Sequence, residues 1–301
     1  MCSDHRGGGL DRNAFLSALD RIGLRGWVPP GHFDQRSGVW ITDGRVEASF
    51  PESGVDLFNT VDQQSFWFDH RNRVIVGALE REVPTGLPLV EVGSGSGVVV
   101  DYVRRTTDRP VASVEPIFAG AATVARRGVE LSFCGDLQSV AFPDRCLPAI
   151  GVFDVIEHLE DPVTLLAECR RVLEADGRLL ITVPAYQWLW SDHDVWNDHV
   201  QRFSRASLAV LLRETGFEPV SQTYIFLPLL PPAVIDRVVL ARMRRSRTDA
   251  DIEAHLEGTL APSSPTVDGI LRRVLDVERR LLEHVRIPFG TSILTTARHA
   301  G

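Results

Sequence analysis

The sequence predicts an α/β protein in which helices cover both faces of a parallel β-sheet. Three observations support this fold class. From residue 88 onward, short apolar runs typical of buried strands alternate with segments of helical periodicity. The first of these runs ends in a glycine-rich segment that leads into a helix. The composition, 44% apolar and 24% charged, is that of a soluble globular chain.

The strands and helices of this region follow one another in a regular order. The predicted strands cover residues 88–92, 111–114, 130–133, 149–153, 178–183 and 217–226. The predicted helices cover residues 97–105, 119–126, 162–173 and 204–214. Repeated strand–helix units favour a parallel sheet, and they define a predicted core at residues 86–226.

The chain before this core is less regular. We interpret residues 1–85 as an N-terminal extension. It contains a short helical pattern at 13–22 and apolar residues at near-helical spacing at 65–79. Between them, residues 27–50 are rich in glycine, proline and turn residues, which fits small strands or irregular loops.

The sequence after the core predicts a helical insertion at residues 227–288. Amphipathic patterns at 234–243 and 270–285 support it. Residues 289–301 then contain a predicted strand at 290–297. This strand and the one at 217–226 are expected to form a hairpin that the insertion interrupts.

The basic residues are unusual because all 32 of them are arginines and none is a lysine. A Schiff-base lysine for pyridoxal phosphate is therefore excluded, and so is the lysine of a Walker-type phosphate loop. The tyrosine–lysine pair of short-chain dehydrogenases is excluded as well. The net charge of −8 argues against a non-specific nucleic-acid binder, so we expect no DNA partner.

Cysteine usage and hydropathy bear on the location of the protein. The four cysteines show no CxxC spacing, which favours a reducing cytoplasm. The N-terminus lacks the apolar core of a signal peptide. Residues 223–235 carry no charge, but this run contains three prolines and is shorter than the roughly 20 residues of a spanning helix. We expect a cytoplasmic protein without a transmembrane segment.

A glycine-rich loop is the strongest local signal. Its potential ligand-binding residues are Glu91, Gly93, Ser94, Gly95 and Gly97, between a strand and a helix. Glycines let a ligand approach the backbone, and a helix N-terminus offers free N–H groups. A dinucleotide fingerprint would place its third glycine at position 98, which is a valine here. A tight turn without a ligand is the alternative for the loop taken alone.

This loop resembles motif I of the class I S-adenosylmethionine-dependent methyltransferases. The segments FWFDHRN at 66–72 and FDVIEHL at 153–159 are similar to those of a bacterial subgroup of these enzymes. The resemblance implies a Rossmann-like sheet of seven strands, the last antiparallel, and S-adenosylmethionine as cofactor. It also implies further cofactor-binding residues after successive strands, namely Glu115, Pro116, Asp136, Leu137, Phe153 and Asp154. Among them, Glu115 corresponds to the acid that binds the ribose hydroxyls, and Asp136 to the residue that meets the adenine amino group.

Candidate catalytic residues follow the fourth core strand. Glu157 and His158 lie where ligands bind in open α/β sheets, and histidine is the commoner general base near neutral pH. His199 is a third candidate from a later segment rich in aromatic residues and histidines. The alternative for His158 is a structural role, in which it packs against or caps the following helix.

A metal site is a second interpretation of the same region. Asp154, Glu157 and His158 have i, i+3, i+4 spacing, and His199 could supply a fourth ligand. This arrangement is similar to the metal sites of ubiquinone-pathway O-methyltransferases and small-RNA 2′-O-methyltransferases. Many members of the family carry the glutamate–histidine pair without a known metal, so our main prediction contains none.

The predicted function is methyl transfer to an oxygen or nitrogen of a small molecule, in specialised-metabolite or glycan biosynthesis. The aromatic segment 186–203 is expected to line the acceptor pocket. The alternatives are a protein that binds the cofactor without transfer, and a metal-dependent RNA 2′-O-methyltransferase. The amphipathic segment 270–285 could support a homodimer through the helical insertion.

Overall fold

In the computed structural model, one central sheet organises the chain, and the structure describes residues 11–44, 65–240 and 265–300. The strands are β1 (His32–Asp34), β2 (Val39–Ile41), β3 (Leu89–Val92), β4 (Val111–Glu115), β5 (Leu131–Cys134), β6 (Leu147–Phe153), β7 (Leu173–Pro184), β8 (Phe217–Ile225) and β9 (Ser292–His299). Their order across the sheet is β1-β2-β5-β4-β3-β6-β7-β9-β8. The parallel strands β5, β4, β3, β6 and β7 form its centre.

The prediction of seven strands is wrong, because the sheet already has nine strands within the described residues. The two additional strands form an antiparallel hairpin, β1–β2, in the region interpreted as an extension. Strand β2 pairs in parallel with β5, placing Trp40 opposite Phe133. Trp40 is buried there, and its ring stacks on Phe15, so the hairpin extends both the sheet and the core.

The final strand is antiparallel, as predicted. Strand β9 lies between β7 and β8 and runs antiparallel to both. Strands β8 and β9 thus form the expected interrupted hairpin. The centre of the sheet is buried on both faces, since all residues of β3, β4 and β6 are buried.

Helices cover the two faces of this sheet. They are α1 (Arg12–Arg21), α2 (Phe66–Glu82), α3 (Val98–Thr106), α4 (Phe118–Arg126), α5 (Leu137–Val140), α6 (Pro162–Val172), α7 (Asp192–Trp196), α8 (Arg205–Glu214), α9 (Leu230–Val234) and α10 (Pro265–Leu282). Helices α1, α5, α6 and α8 contribute to the core on one face, and α2, α3, α4 and α10 to that on the other. Side chains of Ser65, Asp161 and Ser204 cap the N-termini of α2, α6 and α8.

The insertion is helical where the structure describes it. Helix α10 corresponds to the predicted pattern at 270–285, and α9 continues into a π-helical turn at Ile235–Leu240 where the pattern at 234–243 begins. Residues 241–243 of that pattern lie outside the described residues. None of the described helices has the length and hydropathy needed to cross a bilayer.

A buried contact between a histidine and a glutamate joins the insertion to the rest of the molecule. The Nε2 atom of His70 on α2 lies 2.6 Å from Glu278 Oε2 on α10, and both side chains are buried. The Glu278 carboxylate also accepts hydrogen bonds from the backbone N–H groups of Phe226 and Leu227, at 2.9 and 2.5 Å. One carboxylate therefore connects α2, α10 and the end of β8.

Replacing Glu278 by alanine should destabilise the protein strongly, because it leaves three buried partners without their acceptor. We expect a loss of about 3–5 kcal/mol in the free energy of unfolding, the range for a broken buried pair. Urea denaturation measures it. The control is Glu283→Ala on the exposed side of the insertion, where an ion pair with Arg279 is worth about 1 kcal/mol or less. Equal losses in both variants would contradict the assignment.

Candidate active site

The glycine loop lies between β3 and α3, at the carboxyl end of the sheet. Gly95 has a φ of +55°. A Cβ atom added to Gly95 would have no atom within 4 Å, apart from those of its neighbours in the chain. Gly97 has a φ of +78°, and a Cβ there would lie 2.6 Å from Val124 Cγ2. Gly97 is also the N-cap of α3 and provides no side-chain hydrogen bond to the helix. At Gly95 the loop therefore exposes backbone next to open space, which suits a ligand, whereas at Gly97 the missing side chain allows close packing against Val124.

Glu115, at the end of β4, holds this loop in place. Its Oε2 atom accepts a hydrogen bond from the N–H of Gly95 at 2.6 Å, and its Oε1 atom accepts one from Ile117 at 2.9 Å. Burial raises the pKa of Glu115, and the two hydrogen bonds oppose that shift. A carboxylate oxygen has two lone pairs, so each oxygen retains capacity for a further donor.

Two other predicted cofactor residues lie after β5. Asp136 is exposed and caps α5, accepting a hydrogen bond from the N–H of Ser139 at 2.6 Å. Leu137 beside it is buried. Pro116 follows Glu115, and its carbonyl accepts a weak hydrogen bond from Cys134 Sγ at 3.7 Å. These residues thus follow the carboxyl ends of β4 and β5, on the same side of the sheet as the glycine loop after β3.

A buried arginine lies at the centre of this edge. Arg71 of α2 forms an ion pair with Asp154, which follows Phe153 at the end of β6. The Arg71 guanidinium also lies over the rings of Trp67 and Phe68, at 4.8 and 5.0 Å from their centroids. Sequence reasoning did not single out Arg71 as a site residue, although it belongs to the FWFDHRN segment that carried the family resemblance.

Glu91, two residues before the glycine loop, is buried without full hydrogen bonding. Its Oε2 atom has no partner among the described residues. Burial raises the pKa of Glu91 to about 8, although the positive charge of Arg71 opposes this shift. A buried carboxylate with an unused oxygen is costly unless it serves a ligand.

The candidate catalytic residues come together beside this edge. Glu157 and His158 lie in the 3₁₀ turn Ile156–His158 after β6, and His199 lies in the segment after α7. One ligand atom from each of the three lies within 4.8 Å of the others. The His158 and His199 rings meet edge to face, with centroids 4.8 Å apart. A hydrogen bond of 2.8 Å from the N–H of Val200 to the carbonyl of Glu157 holds the two segments together.

The protonation of this cluster follows from its burial. Burial, and next the negative charge of Asp154, raise the pKa of Glu157 well above its ordinary value. Neither carboxylate oxygen of Glu157 has a hydrogen-bond partner among the described residues. Burial, and next the proximity of His199, lower the pKa of His158 to about 4. The cluster thus offers a neutral imidazole and an unused carboxyl group.

A divalent metal ion would find suitable ligands here. Two imidazole nitrogens and a carboxylate are a common donor set for zinc, iron and related ions. In the described part of the chain, Glu157, His158 and His199 are the one group of this kind. Asp154, the fourth ligand considered, is instead engaged by Arg71. The structure therefore brings together three of the four residues.

Aromatic side chains border the site after β7. The Tyr186 ring stacks on Trp188 and on Tyr224, with centroids 5.2 and 5.0 Å apart. Trp188 is 54% exposed, so one of its faces is accessible to a ligand. The guanidinium of Arg205 lies 5.2 Å from the centroid of the Tyr224 ring. This stacked group forms a wall of the kind that binds organic molecules.

Comparison with known proteins identifies the family. Residues 63–222 match a family model described as a methyltransferase domain. The chain belongs to this methyltransferase family. The match includes α2 with Arg71, the glycine loop and the Glu157–His158–His199 cluster. In Mycolicibacterium smegmatis, a protein named "Probable S-adenosylmethionine-dependent methyltransferase" is 25% identical over 226 residues, covering 73% of this chain and 87% of the relative.

Solved methyltransferase structures share the fold. Phosphoethanolamine N-methyltransferase 2 of Haemonchus contortus, in complex with S-adenosyl-L-methionine, has a TM-score of 0.52 at 15% identity; the match covers 95% of this chain and 60% of that one. Geranyl diphosphate C-methyltransferase of Streptomyces coelicolor has a TM-score of 0.51 at 14% identity, with 94% and 91% covered. Our chain is thus an S-adenosylmethionine-dependent methyltransferase, and S-adenosylmethionine is its cofactor.

Replacing Glu91 by glutamine should remove a pH dependence of stability. Glu91 keeps its proton in the folded protein up to about pH 8, whereas an ordinary glutamate ionises near 4.5. Folding therefore binds a proton between these values, and stability is lost as the pH rises through 8. Glutamine resembles the protonated acid. We expect the variant's advantage in urea denaturation without cofactor to grow by about 2–4 kcal/mol from pH 5 to pH 8.

The matched control is Glu80→Gln on α2, since Glu80 is exposed. This variant should follow the wild-type pH dependence. An identical pH dependence in wild type and Glu91→Gln would show that Glu91 ionises normally in the folded protein.

Proposed function

We propose that this methyltransferase transfers the methyl group to an oxygen or nitrogen of a small organic molecule that binds beside the ends of β6 and β7. The observation that carries the proposal is the cluster of Glu157, His158 and His199 at the same edge of the sheet as the glycine loop. The stacked wall of Tyr186 and Trp188 supports an organic acceptor. A role of this reaction in specialised-metabolite or glycan biosynthesis stays a prediction.

The structural relatives support the class of acceptor and leave the atom open. The Haemonchus contortus enzyme is named for phosphoethanolamine and the Streptomyces coelicolor enzyme for geranyl diphosphate, which are both small molecules. One transfers to nitrogen and the other to carbon. The fold therefore accommodates different acceptor atoms, and the groups beside the methyl donor determine which proton must be removed.

The cofactor is proposed to lie along the edge formed by the glycine loop and Glu115. Glu115 would accept hydrogen bonds from the ribose hydroxyls, as the family resemblance implies, and Asp136 with Leu137 would meet the adenine. Arg71 Nε and Glu91 Oε2 are buried atoms without partners among the described residues. A donor and an acceptor of opposite charge suit the carboxylate and ammonium groups of the cofactor's amino-acid end. Phe153 and Asp154 complete this edge.

Replacing Glu115 by alanine should weaken cofactor binding, because it removes the proposed ribose acceptor and releases the N–H of Gly95. We expect the dissociation constant for S-adenosylhomocysteine to rise about 10- to 100-fold in calorimetry, since hydrogen bonds to a charged partner contribute about 1.5–3 kcal/mol. The control is Glu130→Ala, an exposed acid just before β5 that pairs with Arg21 at the far end of the sheet. An unchanged constant in Glu115→Ala would remove Glu115 from the site.

Methyl transfer needs a group that accepts the acceptor's proton. When bound, S-adenosylmethionine supplies an electrophilic methyl group on sulfur, so orientation and proton removal fall to the protein. The pKa of His158, about 4, makes it a weak base at neutral pH. We therefore assign proton acceptance to His199, while His158 packs edge to face against its ring. Glu157, buried and easily protonated, can donate a hydrogen bond to the acceptor.

Replacing His199 by alanine should lower kcat by about 10²–10⁴, the usual contribution of a general base. Cofactor affinity should be retained, because His199 lies on the acceptor side. Product formation from radiolabelled S-adenosylmethionine, with an acceptor found by screening, measures kcat. His284→Ala on the exposed side of the insertion is the control. Unchanged turnover in His199→Ala would reject this assignment.

Chelation separates the metal-dependent alternative from direct proton transfer. With His199 as the base, activity persists in EDTA. Activity lost in EDTA and restored by a divalent ion would instead favour the three residues as metal ligands. That outcome would revive the RNA 2′-O-methyltransferase alternative. Cofactor binding without turnover across a broad acceptor panel would favour a protein that binds but does not transfer.

The exposed side of α10 is the surface we propose for a homodimer. Its exposed apolar residues are Val267, Ile270, Val274, Val277 and Leu281. They recur at intervals of three and four and so form one stripe along the helix.

A further inference from the structure

One buried acid next to the candidate base has no place in the function described so far. Asp194, on the short helix α7, is fully buried. Its Oδ1 atom lies 2.9 Å from His199 Nδ1 and accepts a hydrogen bond from Arg202 Nε at 2.6 Å. Its Oδ2 atom accepts hydrogen bonds from the backbone N–H and the hydroxyl of Ser191, at 2.9 and 3.2 Å. Both oxygens are therefore engaged.

These partners make both oxygens of Asp194 hydrogen-bond acceptors in spite of its burial. The guanidinium of Arg202 donates to Oδ1 and the backbone N–H of Ser191 donates to Oδ2, so a proton on either oxygen would face a donor. Arg202 is itself fixed, because its Nη1 atom donates to the carbonyl of Ala185 at 2.9 Å. The result is a rigid carboxylate with a single orientation.

A fixed carboxylate determines which nitrogen of His199 carries the proton. An ionised carboxylate accepts hydrogen bonds and donates none, so Nδ1 must carry hydrogen to bond with it. In the neutral ring, Nε2 then has a free lone pair. With Nδ1 held by Asp194, Nε2 is the nitrogen left to serve the cluster with Glu157 and His158.

We propose that Asp194 is a positioning residue that fixes His199 in the tautomer with the proton on Nδ1, so that Nε2 receives the acceptor's proton. This inference rests on the proposed function. As the acceptor's oxygen or nitrogen bonds to the methyl carbon, the carbon–sulfur bond breaks and its electron pair stays on sulfur. The acceptor's proton passes to Nε2, and Asp194 stabilises the imidazolium that forms. Release of that proton to water restores the neutral ring.

A purely structural role is the competing explanation. Asp194 also holds Arg202 and completes the N-terminal cap of α7 through Ser191. Its replacement could therefore lower activity by loosening the segment. The two explanations differ in what they predict for the His199 tautomer, and for a variant that lacks both side chains.

The first test is the tautomer, which needs neither an acceptor nor the cofactor. The full-length protein is labelled with ¹⁵N-histidine and kept in EDTA, and long-range ¹H–¹⁵N spectra distinguish a protonated Nδ1 from a protonated Nε2. The His199 signals are those missing from His199→Ala. We expect wild type to show hydrogen on Nδ1 and a free Nε2. Hydrogen on Nε2 in the wild-type spectrum overturns the proposal, and this result requires no Asp194 variant to fold.

Asp194→Asn should shift the His199 tautomer, because the amide can donate as well as accept. The matched control is Asp192→Asn, on the same helix but exposed; it should leave the His199 signals unchanged. An unshifted tautomer in Asp194→Asn, with wild-type thermal stability, counts against the proposal.

The second test is kinetic. We expect Asp194→Asn to lower kcat about 10²-fold, less than the roughly 10⁴-fold seen when the triad aspartate of a serine protease is changed to asparagine. The KM for S-adenosylmethionine should stay the same.

The double variant with His199→Ala should be no slower than His199→Ala alone, because Asp194 acts through His199. Multiplied losses would overturn the proposal. Full turnover in His199→Ala, with the expected tautomer, would reject the proposed base and leave Asp194's control of the ring intact.

Discussion

The ion pair between Arg71 and Asp154 is the interaction on which the site depends. It links α2, which precedes the core in the sequence, to the end of β6, where the segment with the candidate catalytic residues begins. The next residue back along α2, His70, pairs with Glu278 on the insertion. One helix therefore fixes the insertion and the site through adjacent side chains. Because buried polar and charged groups are costly without partners, the loss of either contact would destabilise the protein strongly.

Among the described residues, acids outnumber cations at this edge of the sheet, and that imbalance would suit the cofactor in the position proposed for it. Glu91, Glu115 and Glu157 are all buried, and burial raises the pKa of each. Arg71 is already paired with Asp154. A ligand with a sulfonium and an ammonium group brings positive charge to this region. Without such a ligand, the buried acids reduce their negative charge by binding protons. Binding of such a ligand at the proposed position would favour the ionised forms of Glu91 and Glu115, so charges that are costly in the protein alone would favour the cofactor.

The sequence predicts what local pattern determines, and misses what depends on contacts between distant residues. The alternation of strands and helices and the antiparallel last strand follow from periodicity and family resemblance. The addition of the hairpin β1–β2 to the sheet does not, because its strands have only three residues each and β2 pairs with β5, which lies far along the chain. Arg71 lies 83 residues from Asp154, so no spacing rule could connect them. Asp194 is only five residues from His199, but it resembles an ordinary helix cap in the sequence.

Because the chain has no lysine, burial determines which of the remaining side chains can act as the base. An arginine keeps its proton at any physiological pH, so proton acceptance falls to histidine, tyrosine or a carboxylate. Burial raises the pKa of Tyr186 and of Glu157, which favours their protonated forms. Burial lowers the pKa of His158 and of His193 to about 4, because a charged imidazole is penalised there. His199 differs in having a fixed carboxylate behind its ring. That carboxylate fixes the orientation of the His199 ring, which is why we assign proton acceptance to His199 and not to its neighbours.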